Sequence, residues 1–105
     1  RRSSDLAKMT DIILNELNQF VDQGPSAENL NKVKEFMLKK YKENAKENSY
    51  WVNILGEYFW EGTDMNTGYT NTVNSITAKD LQEFTKALLE QNNRVEVSMT
   101  SEETK

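Results

Sequence analysis

Apolar residues recur every three or four positions along most of the chain, which is the spacing of one face of an α-helix. The first stripe begins after Asp5 and has five apolar members: Leu6, Met9, Ile13, Leu17 and Phe20. Gly24 and Pro25 follow this stripe, and both residue types disfavour continuation of a helix. The pattern therefore predicts a first helix that ends before Gly24.

A second amphipathic segment covers residues 27–47 and is the longest in the chain. Ser26 stands immediately before it, and a serine hydroxyl is a preferred acceptor for the free amides of a helix N-terminus. The predicted buried stripe has five members, with Phe36 beside them: Leu30, Val33, Met37, Tyr41 and Ala45. We therefore predict a second helix that begins after Ser26.

An aromatic segment follows Asn48 and Ser49. Its predicted buried positions have helical spacing, and Tyr50 and Trp60 flank them: Trp51, Ile54, Leu55, Tyr58 and Phe59. Gly56 lies inside this helix, where glycine costs about 1 kcal/mol relative to alanine. A glycine retained there suggests a close backbone approach, so we expect another element to cross at Gly56. Gly62 is the predicted end of the helix.

Residues 62–76 are rich in threonine and asparagine and predict a loop with at most one short helical turn. Asp64 and Asn66 resemble the start of a calcium loop, but the twelfth position is Ser75 instead of a bidentate glutamate. Thr77 and Asp80 then have the spacing of a helix-capping box. The helix predicted after Thr77 has four apolar members on its inner face: Leu81, Phe84, Ala87 and Leu88.

The period changes to two near the C-terminus, where Val95, Val97 and Met99 alternate with polar residues. This alternation predicts a half-buried strand from Val95 to Met99, and a lone strand cannot satisfy its own backbone hydrogen bonds. The predicted fold is therefore an α+β fragment, predominantly helical. It has about four helices followed by one C-terminal strand, whose sheet is completed by missing sequence or by a partner. Residues 1–105 would form a single partial domain with a disordered tail at 101–105, and two copies could dimerise through the strand.

Composition excludes several functions. The 13 basic and 17 acidic residues give a net charge of −4, without the basic stripe that nucleic-acid binding requires. No apolar run approaches the roughly 20 residues that cross a bilayer, and no targeting segment is present in the sequence. The chain has no histidine and no cysteine, which removes thiolate nucleophiles, imidazole bases and Cys/His zinc sites. We therefore assign no catalytic residue, no metal ligand and no cofactor.

Four segments resemble the end of the pitrilysin/insulinase family of zinc metallopeptidases. Residues 24–35 resemble its Gly-Pro-Thr/Ser turn and charged helix, although Asn29 stands where the family often has an acid. Residues 46–55 resemble its Glu-Asn-x-Tyr-Trp segment. Residues 76–81 and 92–97 resemble its closing helix and terminal strand. The resemblance extends from about residue 5 to residue 100, in the family's order and spacing.

The resemblance implies a fragment of the last α+β domain, in the half of the peptidase that does not bind zinc. The N-terminal half of such a parent carries zinc on a His-x-x-Glu-His motif, and the metal activates the water that cleaves a peptide bond. The chain would help to form the peptide-holding chamber, so its partners would be the remainder of the parent and the parent's peptide substrate. The resemblance favours a periplasmic parent, and the chain itself leaves the compartment open.

Four residues are candidate substrate or interdomain contacts: Tyr50, Trp51, Trp60 and Arg94. Aromatic rings offer a large contact area at low entropic cost, and an arginine can pair with a substrate carboxylate. Packing between helices or against an absent sheet is the commoner role of such rings, and a surface ion pair is the commoner role of such an arginine. Two other functions remain open: a stand-alone helical interaction module, and a degenerate family member retained for assembly.

Overall fold

The computed structural model describes residues 2–99, with side chains described from residue 5 to residue 99. Five α-helices account for most of these residues. In chain order they are α1 (Arg2–Gln23), α2 (Ala27–Asn44), α3 (Asn48–Glu61), α4 (Tyr69–Ser75) and α5 (Ala78–Glu90). They form two compact units, one of residues 2–25 and 79–99 and the other of Ser26–Ala78. The single partial domain expected from the sequence stays a prediction, and its tail at 101–105 lies outside the described residues.

The first unit contains α1 and most of α5, and a glutamine joins them. Gln82 on α5 donates hydrogen bonds from Nε2 to the carbonyl oxygens of Val21 (3.0 Å) and Asp22 (3.3 Å). These carbonyls belong to the last turn of α1, where no intrahelical donor is available. Gly24 follows with φ +70°, and a Cβ atom there would lie 2.9 Å from Cδ of Gln82. The glycine is therefore required both by the backbone conformation and by the close approach of Gln82.

The second unit is built on the contact of α2 with the short helix α4. Val73 on α4 is only 2% exposed, and no other described residue is fully buried. Lys34 on α2 donates from Nζ to the carbonyl oxygen of Asn74 at 3.0 Å, near the negative end of α4. Seven residues are too few for an independently stable helix, so α4 depends on these contacts with α2.

Local helix signals are confirmed at three places. The Oγ atom of Ser26 accepts a hydrogen bond from the backbone N–H of Asn29 at 3.1 Å, which is the capping contact expected at the start of α2. Gly62 ends α3 in the left-handed conformation with φ +68°. The final helix begins directly after Thr77. Each of these signals depends on residues close in sequence. Asn29 stands where the family often has an acid, and this difference does not prevent the capping contact with Ser26.

The predicted α+β fold is wrong, because the described residues contain helices and no strand. Residues 93–99 have no regular secondary structure, and the strand expected from Val95 to Met99 is absent. Val95, Val97 and Met99 are 86%, 87% and 94% exposed. Alternation of apolar and polar residues produces a strand only when a second backbone segment lies alongside, and none does so within the described part of the chain. Dimerisation through this segment stays an untested prediction.

Many members of the predicted buried stripes on α1, α3 and α5 are exposed in the described chain, whereas four of the five on α2 are half-buried. Apolar side chains that belong to these stripes or adjoin them remain in contact with solvent on four helices: Met9, Ile12 and Ile13 on α1, Val33 and Phe36 on α2, Leu55 and Phe59 on α3, and Phe84 and Leu88 on α5. A helix that is apolar on most of its circumference is normally buried on all sides. The α3 helix has this character, yet only Tyr50, Ile54 and Gly56 are half-buried on it. These helices therefore present apolar faces without a cover.

Gly56 lies inside α3 and is half-buried. The prediction that another element crosses there is not met within the described chain, because no heavy atom lies within 4 Å of the position of a Cβ atom. We expect Gly56→Ala to stabilise the isolated chain by about 0.5–1 kcal/mol, since alanine restricts the unfolded backbone and favours the helix. Thermal unfolding followed by circular dichroism measures the change. A lower melting temperature would show that the position is crowded in the molecule.

Candidate functional site

Three tyrosines form a cluster in the second unit. The rings of Tyr41 on α2 and Tyr69 on α4 are stacked with centroids 4.7 Å apart. Tyr50 on α3 meets Tyr41 edge to face at 6.3 Å. The hydroxyl groups of Tyr41 (3.3 Å) and Tyr50 (2.8 Å) both donate to Oδ1 of Asn66, in the loop between α3 and α4. One amide oxygen thus holds two rings from different helices in fixed orientations.

The tyrosine cluster forms one side of an apolar cleft of about 350 Å³. The residues that line it come from α2, α3, α4 and the loop before α4: Phe36, Met37, Lys40, Tyr41, Asn44, Tyr50, Ile54, Met65 and Tyr69. Burial is the largest cause of a raised pKa at Tyr50, and negative charge on neighbouring groups adds to it. Tyr50 therefore keeps its proton to a higher pH than an ordinary tyrosine and remains a hydrogen-bond donor to Asn66.

Asp64 organises the loop that carries Asn66. Its Oδ1 atom accepts hydrogen bonds from the backbone N–H groups of Asn66 at 3.0 Å and Thr67 at 2.9 Å. Side-chain and backbone hydrogen bonds from Thr67, followed by the Asn66 amide, lower the pKa of the Asp64 carboxyl group. The carboxylate that resembled a calcium ligand is therefore engaged by its own loop, as asparagine and aspartate often are in turns.

The lowered pKa of Asp64 predicts a pH dependence of stability. A carboxyl group with a folded-state pKa below its unfolded value stabilises the fold above the unfolded pKa, and this stabilisation is lost as the pH falls through the folded pKa. We expect the stability difference between the natural chain and Asp64→Ala to shrink as the pH falls from about 5 toward 2. Urea unfolding at several pH values measures it. Asp5→Ala is the matched control, and an equal pH trend in both variants would contradict the role of Asp64.

The first unit contains a second cavity, of about 500 Å³, which we call the leucine pocket. Its wall is formed by α1, the end of α5 and the segment that follows α5: Leu14, Leu17, Leu88, Leu89, Asn92, Asn93, Arg94 and Val95. Asn92 turns the chain at φ +48°, which asparagine tolerates better than most residues. The turn brings Arg94 to the leucines, and Arg94 is the one charged residue in the wall.

Arg94 has an ion partner on its own segment. Its Nη2 atom lies 3.6 Å from Oε2 of Glu96, and both side chains are about half exposed. The hydroxyl group of Thr10 on α1 shares its proton between Oε1 of Glu96 at 3.1 Å and the carbonyl oxygen of Leu6 at 3.2 Å, so the carboxylate lies near α1. An ion pair of this length and exposure is weak, so the guanidinium keeps donors for another anion.

The four residues singled out from the sequence do not form one site. Tyr50 and Trp51 are in edge-to-face contact at 5.2 Å, and the indole N–H of Trp51 donates to the Ala45 carbonyl oxygen at 2.9 Å. These contacts give both rings a packing role in the second unit. Trp60 lies in the last turn of α3 and is 88% exposed. Arg94 belongs to the first unit, at the leucine pocket.

Sequence reasoning missed the parts of both cavities that depend on distant residues. Tyr69 and Asn66 lie in the segment expected to be mostly loop, and their role follows from contact with Tyr41 and Tyr50. In the sequence, the residue that indicates a helix start at Tyr69 is Gly68, because glycine readily adopts the positive φ of +74° found there. The leucine pocket combines residues of α1 and α5 that are more than 70 positions apart, which no local pattern relates.

The donor chemistry does not fit a zinc site. The sequence lacks histidine and cysteine, and the described side chains contain no group of three or more acidic residues that could hold a metal ion. No step of a reaction is therefore assigned to a metal held by this chain. Among the described helices, none combines the length and apolar character needed to span a membrane.

Comparison with known proteins finds no match for this chain, whether with family models, with curated proteins or with solved structures.

Proposed function

We propose that the chain is a non-catalytic helical part of a zinc-dependent endopeptidase of the pitrilysin/insulinase family. In this proposal the zinc and the groups that activate water belong to another part of the parent protein. The chain contributes to the wall of the chamber that holds the peptide, and it supplies no catalytic residue. The segments that resemble the family support the proposal, since they follow one another in the family's order.

The uncovered apolar faces are the observation that carries the proposal. Within the described residues only Val73 is fully buried, whereas Phe59 and Trp60 are 80% and 88% exposed. Adjacent exposed aromatic side chains of this size favour contact with another polypeptide. A parent protein would supply that cover permanently. The strand expected from Val95 to Met99 is absent from the described residues, so it no longer supports a chain that is part of a larger protein. The exposed helix faces support that proposal instead.

The genomic reading frame upstream of Arg1 tests the proposal directly. We expect several hundred residues in continuous frame with this chain, including a His-x-x-Glu-His sequence. A start codon close to Arg1 would contradict the proposal. A long frame in which the histidines are replaced would also contradict the peptidase role, and it would support a degenerate family member retained for assembly.

A binding experiment tests the structural part. The upstream polypeptide and this chain, expressed together as separate chains, are expected to copurify in a one-to-one ratio. Phe59→Asp should reduce copurification strongly, because it places a charge on an uncovered face of α3. Glu57→Gln, on the same helix, is the control for an unspecific effect of changed charge. Copurification unaffected by Phe59→Asp would contradict the contact.

A stand-alone helical interaction module is the second candidate. The observation that favours it is the end of α3, where Phe59 and Trp60 are almost fully exposed side by side. Aromatic side chains often provide most of the binding energy of a protein interface. A short upstream frame would favour this candidate over the peptidase segment.

A further inference from the structure

The leucine pocket combines an apolar wall with a single positive charge. Two leucines from α1, two from α5 and Val95 form the apolar part, and Arg94 is the charged residue in the wall. We propose that this pocket binds the C-terminal residue of a peptide that ends in an apolar side chain. The side chain enters between the leucines, and the terminal carboxylate pairs with the guanidinium of Arg94.

The chemistry of the wall selects this ligand. Leu14 and Leu17 are one turn apart on α1, and Leu88 and Leu89 lie in the last turn of α5, so two helices provide the apolar surface. An aliphatic or aromatic side chain gains free energy by leaving water for such a surface. Arginine matches a carboxylate with two parallel N–H donors, a geometry that lysine lacks. A volume of about 500 Å³ lies in the usual range of ligand sites.

The asparagines favour a peptide over a simple fatty acid. Asn92 and Asn93 line the pocket next to Arg94, and their side chains offer both hydrogen-bond donors and acceptors. A peptide carries an N–H and a carbonyl group immediately before its terminal carboxylate, and these groups need partners when they leave water. A fatty acid has no such groups, so its binding would leave the asparagines unused.

Glu96 competes with the ligand in this arrangement. Its carboxylate lies 3.6 Å from the Arg94 guanidinium, so a ligand carboxylate that pairs with Arg94 would compete with it for the same cation. Thr10 shares its hydroxyl proton with Glu96 at 3.1 Å. Removal of the Glu96 charge should therefore strengthen binding, whereas a purely structural Arg94–Glu96 pair predicts no effect on a ligand. The inference does not depend on the proposed function, because the leucines, Arg94 and Glu96 that it uses all belong to this chain.

Binding is measured on the full chain by NMR, from the leucine methyl signals and the Nε–H signal of Arg94. The probe is the tripeptide acetyl-Ala-Ala-Leu with a free carboxylate, and its C-terminal amide is the matched control. We expect saturable shifts of the Leu14, Leu17, Leu88 and Leu89 methyl groups with the free acid. The amide should bind about fivefold to tenfold more weakly, because it lacks the charge that pairs with Arg94.

Three variants separate the contributions. Arg94→Gln should weaken binding of the free acid by about fivefold to tenfold and should leave the affinity for the amide nearly unchanged. Glu96→Gln should strengthen binding of the acid by about threefold. Lys79→Gln removes one positive charge outside the pocket, and its affinity should stay within about twofold of the natural chain.

The inference is overturned by equal affinities for the acid and the amide, or by shifts that do not include the leucine methyl groups. Equal losses of affinity in Arg94→Gln and Lys79→Gln would show that only the net charge of the chain matters. That result would also overturn the inference. Decanoate provides the last comparison. Decanoate binding as tight as that of the peptide acid would overturn the assignment to a peptide terminus, and weaker binding would support it.

Discussion

Replacing Val73 with aspartate is expected to unfold the unit formed by Ser26–Ala78. Val73 on α4 is 2% exposed, and α4 contacts α2 in this unit. A carboxylate at this position would have to leave water, or the packing around α4 would have to open. We expect the free energy of unfolding to fall by at least about 4 kcal/mol, the range in which single substitutions abolish a small fold.

Val97→Asp is the matched control for this substitution. The same side-chain change is made at a valine that is 87% exposed, in a segment without regular structure. We expect its effect on stability to stay within about 0.5 kcal/mol. Urea unfolding, followed by circular dichroism and by the fluorescence of the two tryptophans on α3, compares the two. Equal stability of both variants would show that the contact of α4 with α2 does not hold the unit together.

Asn66→Ala is the substitution with the second largest expected effect. It removes the amide oxygen that accepts hydrogen bonds from Tyr41 and Tyr50, so two half-buried hydroxyl groups lose their partner at once. A hydroxyl group without a partner costs about 1–3 kcal/mol when it is buried, and partial access to water reduces this amount. We therefore expect a loss of about 1–2 kcal/mol in the free energy of unfolding.

Two further variants make the test of Asn66 specific. Asn71→Ala changes an exposed asparagine of α4 and should leave stability within about 0.5 kcal/mol of the natural chain. Tyr50→Phe removes one of the two hydroxyl groups and should cost less than Asn66→Ala. The near-ultraviolet circular dichroism of the aromatic rings should change in Asn66→Ala and stay constant in Asn71→Ala. A loss in Asn71→Ala as large as that in Asn66→Ala would contradict the hydrogen-bonded cluster.

The sequence predicts the start of α2 and the end of α3 because their chemistry is local, whereas α2 ends at Asn44, three residues before the predicted end. Ser26 caps the amide of Asn29, three residues away, and Gly62 adopts a backbone conformation that few other residues tolerate. Both can be read from the order of residues alone. The helix α4 was expected as one turn at most, because threonine and asparagine have low helix propensity. The contact of α4 with α2, with Val73 almost fully buried, overcomes that propensity.

The features that the sequence does not predict depend on residues far apart in the chain. Alternation of Val95, Val97 and Met99 is typical of a strand, but a strand also needs a neighbouring backbone that this pattern does not specify. Arg94 could be singled out for its charge, whereas its place beside four leucines follows from the packing of α1 and α5. Periodic spacing identified apolar faces on the helices and did not reveal that the described chain leaves them uncovered.

The central claim is that the described helices leave apolar faces exposed. This claim implies that the isolated chain associates with other polypeptide. Exposed apolar side chains on α1, α2, α3 and α5 should drive self-association when no other partner is present. Sedimentation velocity over a wide range of protein concentrations tests this most directly. We predict a sedimentation coefficient that rises with concentration and falls again in Phe59→Asp. A single monomeric species at every concentration, unchanged by that substitution, would contradict the account.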